Sequence, residues 1–88
     1  MKRQLLLTTK VWQEGNYYIA YTPELDVASQ GKTYDQAQRR LKESVTLFLE
    51  TAKKRGVLRQ ILREAGFITA DKKWRQPSIS ISSLEIKV

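Results

Sequence analysis

Residues 31–56 read GKTYDQAQRRLKESVTLFLETAKKRG, and the fold follows from this stretch. Thr33 with Gln36 three residues later is a capping box, and Asp35 puts a negative charge in the first turn, where the helix dipole favours one. Lys53, Lys54 and Arg55 bring positive charge to the last turn before Gly56, a residue suited to end a helix. Between these marks Tyr34, Ala37, Leu41, Val45, Phe48, Leu49 and Ala52 recur at steps of three and four, which predicts one helix with one apolar stripe. About 22 residues rising about 1.5 Å each give roughly 33 Å, enough to cover one face of a small sheet. The other side carries Asp35/Arg39, Arg39/Glu43 and Glu50/Lys54 at i,i+4 spacing, which is a solvated face rather than a site.

Working back from the helix, residues 4–12 and 17–22 are rich in Leu, Thr, Val, Tyr and Trp, and Gln13-Glu14-Gly15-Asn16 between them is turn chemistry. They read as a hairpin. Pro23 cannot donate to a ladder and stops the second strand, Glu24-Leu25-Asp26 makes a loop, and residues 27–30 give a short third strand ended by Gly31. Working forward, Val57, Leu58, Ile61, Leu62 and Ala65 stripe a shorter helix closed by Gly66, and residues 67–77 read as a loop. Residues 78–88 read as a last strand whose phase changes at Ser82-Ser83: Ile79 and Ile81 share one face, while Leu84, Ile86 and Val88 share the other. Either a bulge sits there or the strand is apolar on both faces, as one contacting a second subunit would be. The expected order is β-β-β-α-α-β, an α+β fold with a small, antiparallel-rich sheet and one long helix packed on one face. The other face of the sheet is then solvated or covered by a partner, with Trp12, Tyr18 and one phase of the last strand as its surface.

The chain has 88 residues, no cysteine and no histidine, and a formal net charge of +7. These counts remove Ser-His-Asp and thiol catalysis, imidazole acid–base chemistry, and zinc sites built from Cys and His. A two-metal nuclease needs several converging acids, and Glu24, Asp26 and Asp35 are too few and too local. No catalytic residue, metal or cofactor is expected. The length fits a single domain, 1–88, with one modest core, for which self-association as a homodimer or larger would add buried surface. No apolar run approaches the roughly 18 residues of a membrane span, and Lys2-Arg3 with its short leucine triplet is no signal peptide, so cytoplasm is the expected location. The positive charge is concentrated in residues 53–75, where eight basic residues (Lys53, Lys54, Arg55, Arg59, Arg63, Lys72, Lys73 and Arg75) face only Glu64 and Asp71. Residues 1–52 are nearly balanced.

The run Tyr21-Thr22-Pro23-Glu24-Leu25-Asp26-Val27-Ala28-Ser29-Gln30-Gly31-Lys32-Thr33, followed by a helix with Ala37, Leu41, Glu43, Ser44, Val45, Leu47, Phe48, Leu49 and Glu50, resembles the HicB-like antitoxin family. The likeness spans residues 4–52, and the KKRGVLRQILREAGF stretch with the terminal Ile/Glu/Val strand resembles the tail of short family members. It implies a partial ribonuclease-H-like fold without catalytic carboxylates, and it implies a partner: a small HicA-type toxin, an mRNA endonuclease whose active site the antitoxin blocks. The chain differs from the family in having Gln36 where an acid is usual and Arg39-Arg40-Leu41 in the helix. Many family members continue into a helix-turn-helix or ribbon-helix-helix domain that binds the operon's own promoter; this sequence departs from them, and a short form without that domain is expected. HicA-type toxins tend to be basic, so the contact face should be locally acidic.

Two sets of candidates follow. Glu14, Tyr21, Pro23, Glu24 and Asp26 are expected to bind the partner, because binding residues concentrate on loops held by rigid elements. The alternative is that Pro23 merely stops a strand, Leu25 plugs the core and the acids are solvated; likewise each of Trp12, Tyr17, Tyr18 and Tyr21 is either interface or core. The second set, Lys54, Arg55, Arg59, Arg63, Lys72, Lys73, Trp74 and Arg75, would make residues 53–75 a nucleic-acid-binding segment, with cations on phosphates and Trp74 or Phe67 stacking on bases. Against this, cations favour a helix C-terminus in any case, and Arg59 and Arg63 fall on the outer face of an amphipathic helix.

Overall fold

The structure, a computed structural model, describes residues 5–70 and 73–88. Strands β1 (Lys10–Glu14), β2 (Tyr17–Thr22) and β3 (Val27–Gly31) form an antiparallel sheet in sequence order. Helix α1 (Tyr34–Lys54) covers one face of it, and the shorter α2 (Leu58–Glu64) follows. A separate antiparallel hairpin pairs β4 (Ile68–Ala70) with β5 (Lys73–Arg75). The α+β class, and the order of three strands, long helix and short helix, are those expected from the sequence.

The C-terminal part differs from expectation. The β4–β5 hairpin replaces the loop read at 67–77, and residues 76–88 carry no strand. The hairpin strands are three residues each, too short to show an alternating pattern. Residues 78–88 have strand-type composition, yet a strand is made by its neighbour, and none of the described strands pairs with this segment.

The two-residue loop Gly15-Asn16 fixes the register by setting Glu14 opposite Tyr17, with Val11 opposite Ala20 and Trp12 opposite Ile19. Ala20 therefore points at α1, where it forms the core with Ala37, Leu41 and Val45; Leu7, Val11, Tyr18, Leu25, Val27 and Leu49 pack around it. Tyr18 thus belongs to the core side and not to the uncovered face, because it shares the parity of Ala20. Of the helix stripe, Tyr34 and Phe48 lie at the margins and are exposed.

α1 can approach the sheet closely because Gly31 has no side chain. A Cβ there would stand 2.6 Å from the Ala37 backbone nitrogen. Thr33 Oγ1 accepts the Gln36 N–H at 3.0 Å, while Gln36 Oε1 accepts from Lys32 N at 2.6 Å, one residue before the cap position. On the open side of β3, Arg40 Nη1 donates to the Gln30 carbonyl at 3.1 Å, and the hydroxyls of Ser29 and Ser44 lie 3.1 Å apart.

Both helices end in Schellman motifs. Val57 N–H bonds to Ala52 O and Gly56 N–H to Lys53 O; Phe67 N–H bonds to Leu62 O and Gly66 N–H to Arg63 O. The apolar residues that accompany the motif, Ala52, Leu62 and Phe67, are buried. Among the described residues no helix is long and apolar enough to cross a membrane.

Candidate partner-binding surface

The uncovered face of the sheet is built by strand alternation. Lys10, Trp12 and Glu14 of β1 stand opposite Tyr21, Ile19 and Tyr17 of β2, and all six project away from α1. Trp12 and Tyr17 are exposed. Trp12 anchors the set: its ring meets Tyr21 edge to face at 6.5 Å, its Nε1–H donates to Glu14 at 3.2 Å, and Lys10 Nζ lies 5.6 Å from the ring centre.

Tyr21 extends this row to the loop at 23–26 by donating its phenol O–H to Asp26 Oδ1 at 2.8 Å. That hydrogen bond raises the Tyr21 pKa above the ordinary phenol value, with desolvation and the Asp26 charge acting in the same direction. Asp26 is left-handed at φ 55°, a conformation Asp tolerates better than most residues. Glu14, Trp12, Tyr21 and Asp26 thus form one continuous row of contacts across the face.

Three of the candidates named from the sequence, Glu14, Tyr21 and Asp26, therefore come together. Pro23 is exposed at the start of the same loop. Glu24 is turned to a different task. Its Oε2 accepts the Thr8 backbone N–H at 2.8 Å and the Gln76 side-chain amide at 3.0 Å, its Oε1 lies 3.4 Å from Thr22 Oγ1, and Gln76 also donates to Thr8 Oγ1 at 2.8 Å. Burial pushes the Glu24 pKa up, but the hydrogen bonds from Gln76 and Thr8 outweigh it and hold the group below its ordinary value. One carboxylate thus ties the N-terminal segment, the β2–β3 loop and the segment after β5 together.

Beside the loop is a shallow depression of about 330 Å³, with Leu25, Phe48 and Ile61 as apolar lining and Glu24, Asp26 and Glu64 as acids. It was not foreseen from the sequence, since Glu64 and Phe48 are distant from the loop along the chain. Trp12 lies on the uncovered face, as expected from the sequence, whereas the choice between interface and core for Tyr17 is settled only by the hairpin register.

The basic candidates do not make one uniform surface. Lys54 and Arg55 at the end of α1, and Arg59 and Arg63 on α2, are exposed. Trp74 and Arg75 belong to β5, where Trp74 is half-buried and Arg75 exposed; Lys73 is in the same strand, opposite Ala70. Lys72 lies outside the described residues. Phe67 is buried at 3% exposure and is unavailable for stacking on a base, a correction that follows from its place in the Schellman motif of α2. Among the described residues no group of three or more acids, histidines or cysteines could hold a metal ion. No protein-family model matches the chain, and neither does any curated protein or solved structure that was compared with it.

Proposed function

We propose that this chain is a HicB-like antitoxin module that binds a small, basic, HicA-type mRNA endonuclease and occludes its active site in the cytoplasm. The observation that carries the reading is the loop at 23–26. It joins two strands of a helix-backed sheet, holds Asp26 at 2.8 Å from Tyr21, and lies between an exposed aromatic face and a depression bearing Glu24, Asp26 and Glu64. The sequence motif and the strand–strand–strand–helix order together are what the family resemblance requires.

The mechanism is steric and electrostatic. Acids on a fixed loop steer and orient a cationic partner, and the aromatics supply desolvated contact area at little entropic cost. A stable interface of this kind takes about 800 Å² from each partner. The exposed aromatics of the sheet face and the adjoining loop are contiguous, which supports this reading. Blocking requires no chemistry from the chain, in keeping with a sequence that carries neither histidine nor cysteine.

Co-expression with the small protein encoded in the adjacent reading frame tests this. Growth should be arrested by that protein alone and restored when the present chain is supplied; arrest that persists in its presence refutes the reading. A second reading, nucleic-acid binding, is favoured by one observation, the exposure of Lys54, Arg55, Arg59 and Arg63 at the α1–α2 corner. It requires RNA or DNA affinity that falls steeply with salt and is lost on reversing Arg59 and Arg63; no binding at low salt removes it.

A further inference from the structure

Residues 84–88 read Leu-Glu-Ile-Lys-Val, the alternation of a strand with one buried face, yet Leu84 is 84% and Ile86 65% exposed. Ile79 and Ile81 are exposed as well, so the segment presents its apolar residues to solvent with no described strand beside it. Such a stretch marks an interaction surface.

The five residues are complementary to themselves in one arrangement. Two copies running antiparallel about Ile86 set Leu84 of each opposite Val88 of the other and Ile86 opposite Ile86, and they set Glu85 opposite Lys87 twice. Every cross-strand pair is then apolar with apolar or acid with base. A parallel in-register pairing would instead set Glu85 beside Glu85 and Lys87 beside Lys87. The alternation leaves all six apolar side chains on one face of the ribbon and the four charges on the other. From this we infer that residues 84–88 are a self-pairing strand through which two copies of the chain associate about a twofold axis at Ile86. The contact is isologous and closed, so it stops at a dimer. It also gives a reason why the segment is not a strand in a single chain: its partner is the same segment of a second chain. The inference is independent of the antitoxin reading.

Sedimentation equilibrium of the full chain tests it. The wild type should be a dimer, and Ile86→Glu should be a monomer at concentrations where the wild type is not. Glu85→Lys, which brings like charges together at both symmetric positions, should weaken association about tenfold. Glu85→Lys combined with Lys87→Glu should restore it, because the twofold register pairs the exchanged charges again. The chain has no cysteine of its own, so Ile86→Cys should cross-link to a disulfide dimer under mild oxidation, and Ser82→Cys should not. These positions are exposed, and unchanged circular dichroism will show that the fold survives. A monomeric wild type, a dimer that persists in Ile86→Glu, or a double charge exchange that stays as weak as the single one overturns the inference.

Discussion

Glu24 shows how a residue of the β2–β3 loop, a candidate for partner binding, can be occupied by the fold. Its carboxylate accepts from Thr8 and Gln76, groups far away along the chain in opposite directions. Because its folded pKa is lowered, the stabilisation is fully present above the ordinary carboxylate range and is lost as pH falls through the folded value. Glu24→Gln should therefore cost about 1–2 kcal/mol at pH 7, with the gap from wild type closing on acidification, as followed by urea unfolding at stepped pH. Equal destabilisation at every pH would contradict this role. Gly31 is the second such residue. With the Ala37 nitrogen 2.6 Å from where a Cβ would stand, Gly31→Ala must push α1 off the sheet, and a loss of about 1–3 kcal/mol is expected in the same unfolding experiment. The sequence could suggest Gly31 only as a strand stop; its closeness to the helix is a tertiary fact.

At the scale of elements, what was legible was what is local. The cap at Thr33, the apolar spacing of Ala37, Leu41 and Val45, and the glycines that close α1 and α2 all act within a few residues of themselves, so the helices stand where the pattern put them. The margins of the stripe were less legible: Tyr34 and Phe48 have helical spacing but fall outside the width of the sheet beneath. The region after α2 departs from the expected loop because its pairing depends on neighbours. Gly66 there has φ 94°, and an added Cβ would meet the Pro77 ring at 3.1 Å, so the turn into the hairpin packs on the segment that leaves it. Gly66→Ala is expected to lower stability by about 1–2 kcal/mol from the left-handed backbone alone, with a further loss from the contact. A melting temperature equal to wild type would show that this turn is not strained.

At the scale of the whole molecule, a charge of +7 hides two regions of different character. The excess of cations lies at 53–75, whereas the sheet face and its loop carry Glu14 and Asp26 beside Trp12 and Tyr21. Half of this candidate surface could be read from residue types, since Glu14, Tyr21 and Asp26 were named without coordinates. Trp12 was also legible as part of the uncovered face, while Tyr17 required the hairpin register and the depression with Glu64 required the docking of α2. If the proposed function holds, Trp12→Ala and the pair Glu14→Lys with Asp26→Lys should leave the melting temperature within a few degrees of wild type while weakening binding of the proposed toxin by at least about tenfold, the scale of an interface anchor. Arg59→Glu with Arg63→Glu should leave toxin binding intact; these comparisons are readable by calorimetric titration. The most direct test of the proposed antitoxin role is mRNA cleavage by the purified small protein of the adjacent reading frame, titrated with the present chain. The account predicts that cleavage falls to background at about one chain per toxin; cleavage that continues undiminished at a large molar excess of the chain would contradict it.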